Sequence, residues 1–566
     1  MPRPFLSTAA ALAAGGALVL ATTVPAMAGK PPKGVELSAI GTHFTDSFDA
    51  SAAEIVEHDP LTHRLFVVNA EAGAFDVLDA SDPSDPSLLG EASVAGLAAA
   101  DGSTIDEGAQ VNSVSVNDGV VAVAVEAADK VSPGWVAFFS TSGDVPFLAA
   151  VRIGVQPDMV TFTPDGSKVV TADEAEPADD FSSDPEGSIS VVDVAAVLGG
   201  AGQTAVQIAR FTAFEGDAEG VRVYGPDVPV PSGQPDAGLV SRNLEPEYVA
   251  VDQQSHIAYV SLQEANTIAV VDLATASVTR LLPLGYKNWA ATEAGFDASN
   301  DDDEIDLQQW PVFGVYEPDG IAAYQVRGQT YLVTANEGDA REWGDYVDSE
   351  RLADSAYDLC ADAFDADTIA AAADDEQLGR LNVSEVDGIR EAADGEEACR
   401  EQIVALGGRS FSIWTTDGDL VFDSGSQFEE LLRDGAGGID PLVAFNANND
   451  DNDSFDSRSD DKGPEPEGVT IGQVDGRSYA FIGLERAGGV MTFNIDDPAA
   501  PYFVNYFNNR DFSADAESRA AGDLGPEGLA FISAEDSPIG DPLLAVANEV
   551  SGTTTVFAIA GTSAGH

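Results

Sequence analysis

The chain has 566 residues, with 97 aspartates and glutamates against 26 lysines and arginines, for a formal net charge of −71. An acidic excess of that size repels phosphate backbones and anionic headgroups, so nucleic acid and anionic membrane surfaces are excluded as partners. A salty surrounding explains surface carboxylates in general, but it does not explain acids that recur at fixed positions.

Residues 1–28 read as a secretory signal peptide. Arg3 is their one charge, the apolar stretch "AAALAAGGALVLA" follows, and the small residues "AMA" precede Gly29. A short linker, 29–34, leads into the strand "VELSAIGTHF" (35–44). No later apolar run reaches the ~18 residues of a membrane span, and the tail 561–566 carries no recognisable anchor. The expected product is secreted or cell-surface associated, without membrane insertion.

From residue 53 onward one pattern recurs. An apolar strand opens on an acid, a tight turn follows, a second strand ends in Glu, and a third strand closes the unit. The copies are "AEIVEH…LFVVNAE", "NSVSV…VAVAVE", "PDMVTF…VVTADE", "PEYVAV…AYVSLQE", "PDGIAAY…YLVTANE", "PEGVTI…YAFIGLE" and "PEGLAFI…LLAVANE". Short β-rich strands bounded by Gly, Pro, Asp and Asn, in units of roughly 40 residues, predict an all-β, seven-bladed β-propeller. The seventh copy ends after its third strand, and 35–44 is expected to supply the fourth and close the ring. One propeller domain then spans 35–560, with long insertions on one face.

The first two strands of a unit form a hairpin, so the opening acid of one lies beside the closing acid of the other. The opening acids are Glu54, Asp158, Glu247, Asp319, Glu467 and Glu527, with Asn112 in the second unit. The closing acids are Glu71, Glu126, Glu174, Glu264, Glu337, Glu485 and Glu549. Such a ring either caps backbone groups or holds cations. All-oxygen ligands at this density point to calcium, with all of these acids except Glu126 as the expected metal ligands.

Two insertions resemble calcium loops. "DASNDDDEID" (297–306) sets Asp297, Ser299, Asp301 and Asp303 at alternate positions, with Asp297 and Asp301 as expected ligands. It lacks the sixth-position glycine and twelfth-position glutamate of an EF-hand. "NANNDDNDSFDSRSDDKG" (446–463) is similar. The insertion 338–408 inside the fifth unit holds Cys360 and Cys399, which in an exported chain predict a disulfide.

Scarce cations in motif-like segments form the last candidate set: Arg341, Arg409, Arg458, Lys462 and Arg486. They either pair with nearby carboxylates or hold a phosphate or carboxylate ligand. There is no GxSxG elbow, HExxH motif or P-loop. Any hydrolysis would therefore rest on metal-activated water.

The segments "AAEIVEHDP", "LEPEYVAV", "TANEGDAR", "GGRSFSIW", "DSRSDDKGPEPEGV", "FIGLERAGGV" and "GDLGPEGLAFI" resemble the choice-of-anchor I family, which includes mesenchyme-specific cell-surface glycoprotein-like proteins. The resemblance runs from about residue 35 to 560 and implies an exported or surface-attached protein. The "PEG" units are similar to those of phytase-like propellers. The function expected is an extracellular, calcium-binding module for a small phosphorylated or anionic ligand or a surface component. The alternative is a calcium-dependent phosphoesterase of alkaline phosphatase or phytase type.

Overall fold

Some strands of this chain are apolar up to a closing acid and buried, such as Val120–Glu126, while others, such as Ser87–Ser93, are largely exposed. A strand covered on both faces needs apolar residues at every position, whereas an outer strand does not. The computed structural model describes residues 34–178, 180–225, 237–302, 304–344, 346–392 and 397–561. The leader 1–28, nearly all of the linker, and the tail beyond 561 lie outside the described residues.

Among the described residues the chain forms seven four-stranded sheets in sequence order, each antiparallel throughout. Their first strands are Val56–Asp59, Gln110–Asn117, Pro157–Phe162, Pro246–Val251, Pro318–Val326, Pro466–Val474 and Pro526–Ile532. The last sheet takes its outer strand from the start of the chain, where Val35–Phe44 pairs antiparallel with Thr553–Gly561. The apolar core lies between sheets. Phe66, Phe75, Val114 and Val123 join the first two, and Val56, Leu65, Leu543 and Ala545 join the first to the last. Sheets stacked face to face in this way make a β-propeller.

The long insertions carry structure of their own. Strands Tyr286–Asn288, Val312–Val315, Ile403–Ala405, Asn382–Ser384 and Ser349–Arg351 form a mixed five-stranded sheet, with Val312–Val315 parallel to Ile403–Ala405. It covers a small core of Trp289, Phe296, Leu352, Leu378, Leu381 and Val383. The repeat pattern gave no sign that the segment before the fifth unit and the insertion within it build one sheet. Cys360 and Cys399 are joined in a disulfide that spans 39 positions of this insertion.

Glycine after the opening acid has a packing cause. A Cβ on Gly320 would collide with the carbonyl oxygen of Glu467, one on Gly468 with that of Glu527, and one on Gly528 with that of Glu54. In these three sheets the opening segment thus packs its backbone on that of the next. Gly528 N–H also donates to the Glu54 carbonyl at 3.0 Å. Replacing Gly468 with alanine should lower stability by about 2 kcal/mol, because rigid backbone must move. Gly90, with open space around it, should tolerate alanine to within about 0.5 kcal/mol. Equal denaturation midpoints for Gly468→Ala and wild type would contradict this account of the opening segments.

Candidate functional site: an acidic channel

In the third to seventh sheets the opening proline faces a residue one or two positions before the closing acid. Pro466 faces Leu484, for example, and Pro526 faces Asn548. The register then slips. After Pro466–Leu484 the next pair is Val469–Ile482, so Glu467 and Gly468 oppose one residue. The same shift follows Pro157, Pro246, Pro318 and Pro526. A bulge of this kind lifts the extra residue from the ladder and re-aims its side chain. Each opening acid is thereby turned out of its sheet toward the channel.

The outcome is a cavity of ≈ 410 Å³ lined by Asp158, Glu174, Glu247, Asp319, Glu337, Glu467, Glu485, Glu527 and Glu549, with Asn112, Gln263, Tyr248, Asp339, Lys462 and Arg486 among the other wall residues. A second cavity of ≈ 380 Å³ holds Glu54, Glu71, Glu126 and Lys130, and shares Asp158 and Glu527 with the first. Carboxylate oxygens gather in four sets, each within 4.8 Å: Glu54–Glu527–Glu549, Asp158–Glu174–Glu247, Asp319–Glu337–Glu467 and Glu337–Glu465–Glu485. One oxygen each of Glu467, Glu527 and Glu264 is enclosed without a hydrogen-bond partner.

Crowding and burial act together on these groups. Burial, and then the charges of Glu549 and Asp158, outweigh a Ser51 hydrogen bond and push Glu54 up to about 8. Burial followed by Glu176 and Glu126 takes Asp158 up to about 7. Burial also raises Glu174, Glu247, Asp319, Glu467, Glu485 and Glu527 well above the usual carboxylate range, with like charges around the channel adding to it. Without a cation the channel holds protons at neutral pH.

Glu465 behaves in the opposite way. Burial pushes its carboxyl up, but Lys462, Arg458 and Arg486 outweigh burial and hold it at about 2. Its oxygens lie 2.8 Å from Arg458, 3.3 Å from Lys462 and 3.3 Å from Arg486. The same position two residues before the opening acid is Glu317, paired with Arg222, and Glu245, paired with Arg341. These acids are anchors, tied by arginines that reach in from the insertions. Glu317 and Glu465 need such ties, because they adopt φ of 44° and 49° ahead of a proline, a left-handed conformation that costs about 1–2 kcal/mol. The sequence carries this signal as Glu-Pro-acid at 245–247, 317–319 and 465–467, where the first acid is the anchor and the second lines the channel.

The candidate cations divide accordingly. Lys462 and Arg486 line the channel. Lys462 Nζ lies 3.3 Å from Glu337, and Arg486 Nε lies 3.2 Å from Glu485. Arg458 sits behind them, bound to Glu465 and Asp461. Arg341 is buried against Glu245 and Asp184, and Arg409 against Glu429 and backbone carbonyls, so both are consumed inside the protein. Among the acids, Glu71 is exposed and accepts from Ser47 at 2.7 Å, and Glu264 is buried behind the channel wall. Asp297 is buried away from the channel and Asp301 is exposed, while Asp303 lies outside the described residues.

Known proteins resemble this chain in sequence. The chain is 32% identical over 293 residues to the mesenchyme-specific cell surface glycoprotein of Strongylocentrotus purpuratus, covering 46% of this chain and 36% of that protein. It is 30% identical over 196 residues to gigasin-3a of Magallana gigas, covering 33% of this chain and 66% of that protein. The chain therefore spans about a third of the first relative and just under two thirds of the second. Among solved structures, Kuenenia stuttgartiensis hydrazine synthase aligns over 92% of this chain and 98% of its own, at 12% identity and a TM-score of 0.42. At that distance its chemistry does not transfer. A model of the choice-of-anchor I domain matches residues 54–498, most of the sequence, and the chain belongs to the choice-of-anchor I family.

Proposed function

We propose that this protein is an extracellular or cell-surface β-propeller whose seven sheets are the blades of one closed ring, and whose channel binds calcium to present a rigid recognition face. The four sets of carboxylate oxygens converging on one channel carry this reading. Hard oxygen donors, crowded and short of partners, suit a cation that accepts six to eight oxygens. The relatives' names support a surface setting, and among the described residues no helix is long and apolar enough to cross a membrane. The pairing of Val35–Phe44 with the last sheet supports a single propeller domain over 35–560. The partner would be a small phosphorylated or anionic ligand, or an anionic component of an extracellular surface.

A second reading rests on Lys462 and Arg486, the two cations in the channel wall. Calcium held by Glu337, Glu467 and Glu485 would supply a Lewis acid and a more acidic water for phosphoester hydrolysis. Lys462 and Arg486 would orient the anionic oxygens of the substrate.

The metal-free protein should lose stability as pH rises. Glu54 at about 8, and Asp158 and Glu264 at about 7, sit above their ordinary values of 4.5, 3.8 and 4.5. The folded state then binds more protons than the unfolded chain, so their stabilising contribution is full below about pH 4 and is lost through about pH 8. In chelator the melting temperature should fall between pH 5 and 8, and millimolar calcium should restore it at pH 8 by several degrees. A calcium-insensitive, pH-flat melting temperature in stripped protein would end the calcium reading.

Glu467→Gln separates the two roles. It should weaken calcium binding by about tenfold or more, because ligand charge sets affinity, yet raise the stability of the metal-free protein by relieving repulsion. Calorimetric titration and melting in chelator read these opposite signs. If the protein is an esterase, hydrolysis of an aryl phosphate should require calcium and fall in Glu467→Gln and Arg486→Ala. No turnover above a blank across phosphate mono- and diesters, with calcium present, removes the enzyme reading and leaves the binding module.

A further inference from the structure

The four sets of channel carboxylates are not alike. In the first two, Glu54–Glu527–Glu549 and Asp158–Glu174–Glu247, no acid makes an ion pair among the described residues, and in the third only Glu337 does, with Lys462. Glu467 and Glu527 each keep one enclosed oxygen without a hydrogen-bond partner. The fourth set, Glu337–Glu465–Glu485, is the reverse case. Its acids are 8, 0 and 5% exposed, yet each has a cation beside it.

Two side chains fill the fourth set. Lys462 Nζ lies 2.6 Å from the Gly338 carbonyl, 3.3 Å from Glu337, 3.3 Å from Glu465 and 3.7 Å from Asp339. Arg486 Nε sits between Glu465 at 3.3 Å and Glu485 at 3.2 Å. Three carboxylates and one carbonyl around a single ammonium are the kind of all-oxygen donor set that a hard cation takes. Here the chain itself delivers the charge, on the residue three positions before Glu465.

We propose that Lys462 is a specificity-determining residue of the channel: its ammonium takes the place of a metal between Glu337 and Glu465, so calcium enters the bare sets and not this place, and removing Lys462 opens one further calcium site. The inference rests on the calcium reading of the channel. A tethered ammonium cannot dissociate, so Glu465 is neutralised at every calcium concentration. The bare sets instead exchange protons for metal. Glu465 therefore stays anchored in stripped protein, and the opening segment of the sixth sheet is fixed before any ion arrives.

The test is Lys462→Ala in the full chain, with calcium counted per chain after equilibrium dialysis. The variant should hold one calcium more than wild type, with a new anomalous-scattering peak about 2.3–2.6 Å from the Glu337 and Glu465 carboxylates. Lys462→Arg, which keeps the charge, should keep the wild-type count. In calcium-loaded wild-type crystals no peak should lie within bonding distance of Glu465. Losing a buried partner should weaken Lys462→Ala in chelator, and calcium should raise its melting temperature by more than it raises that of wild type. An unchanged count in Lys462→Ala overturns the proposal, as does a wild-type peak bonded to Glu465. Failure of the variant to fold even in millimolar calcium also overturns it, because the ion should fill the vacated place. Calcium in the wild-type channel with no gain in the variant removes this inference alone. A gain in the variant with no calcium in wild type removes the channel reading alone.

Discussion

Mutual repulsion among carboxylates that the fold refuses to separate is the constraint on which the rest of this structure depends. Two like charges ~5 Å apart repel by about 3 kcal/mol at an effective dielectric of ~20, and the channel repeats that arrangement in four overlapping sets. In the third to seventh sheets the opening acid cannot turn away, because it sits at a bulge with a proline before it and, in three of them, a glycine after it packed on the next sheet's backbone. Protons or cations must therefore enter, and the choice between them follows pH and metal supply.

The scarce basic residues make sense in this light. Several of the scarce arginines are buried at the roots of the insertions: Arg222 beside Glu317, Asp348 and Asp387, Arg341 beside Glu245 and Asp184, and Arg409 beside Glu429 and backbone carbonyls. Removing one partner from such a pair leaves an unpaired buried charge, which is far more costly than the pair is stabilising. The arginines accordingly fix where each insertion sits. Among the described residues Lys462 and Arg486 line the larger cavity, and both also serve Glu465. Positive charge in the channel is thus rationed by the same anchor that holds the backbone in its left-handed turn.

Much of this was legible in the sequence because strand periodicity and turn chemistry are local signals. The repeated opening and closing acids mark the sheets and group Glu337, Glu467, Glu485 and Glu527, which line one cavity. Glu71 was legible by position only: its unit lacks the proline bulge, and its side chain turns outward to Ser47. The roles of Arg341 and Arg409 were not legible, since a cation beside an acid-rich motif looks the same whether it faces ligand or fills a buried socket. The mixed insertion sheet was hidden for a related reason. Its strands are three or four residues long, and one pair joins positions about ninety apart, Val312 with Ile403, so no periodicity develops.

The pairing of Val35–Phe44 with Thr553–Gly561 has a consequence for how the protein is made. The strand Val35–Phe44 cannot pair until Thr553–Gly561 has been made. Bringing together positions some five hundred residues apart costs about 5–6 kcal/mol in chain entropy. That cost is met only when the intervening sheets have already stacked and brought the two ends close. Until then Val35–Phe44 has no sheet edge to join. Biosynthesis and architecture are thereby ordered in time, with the earliest-made strand the last to find its place.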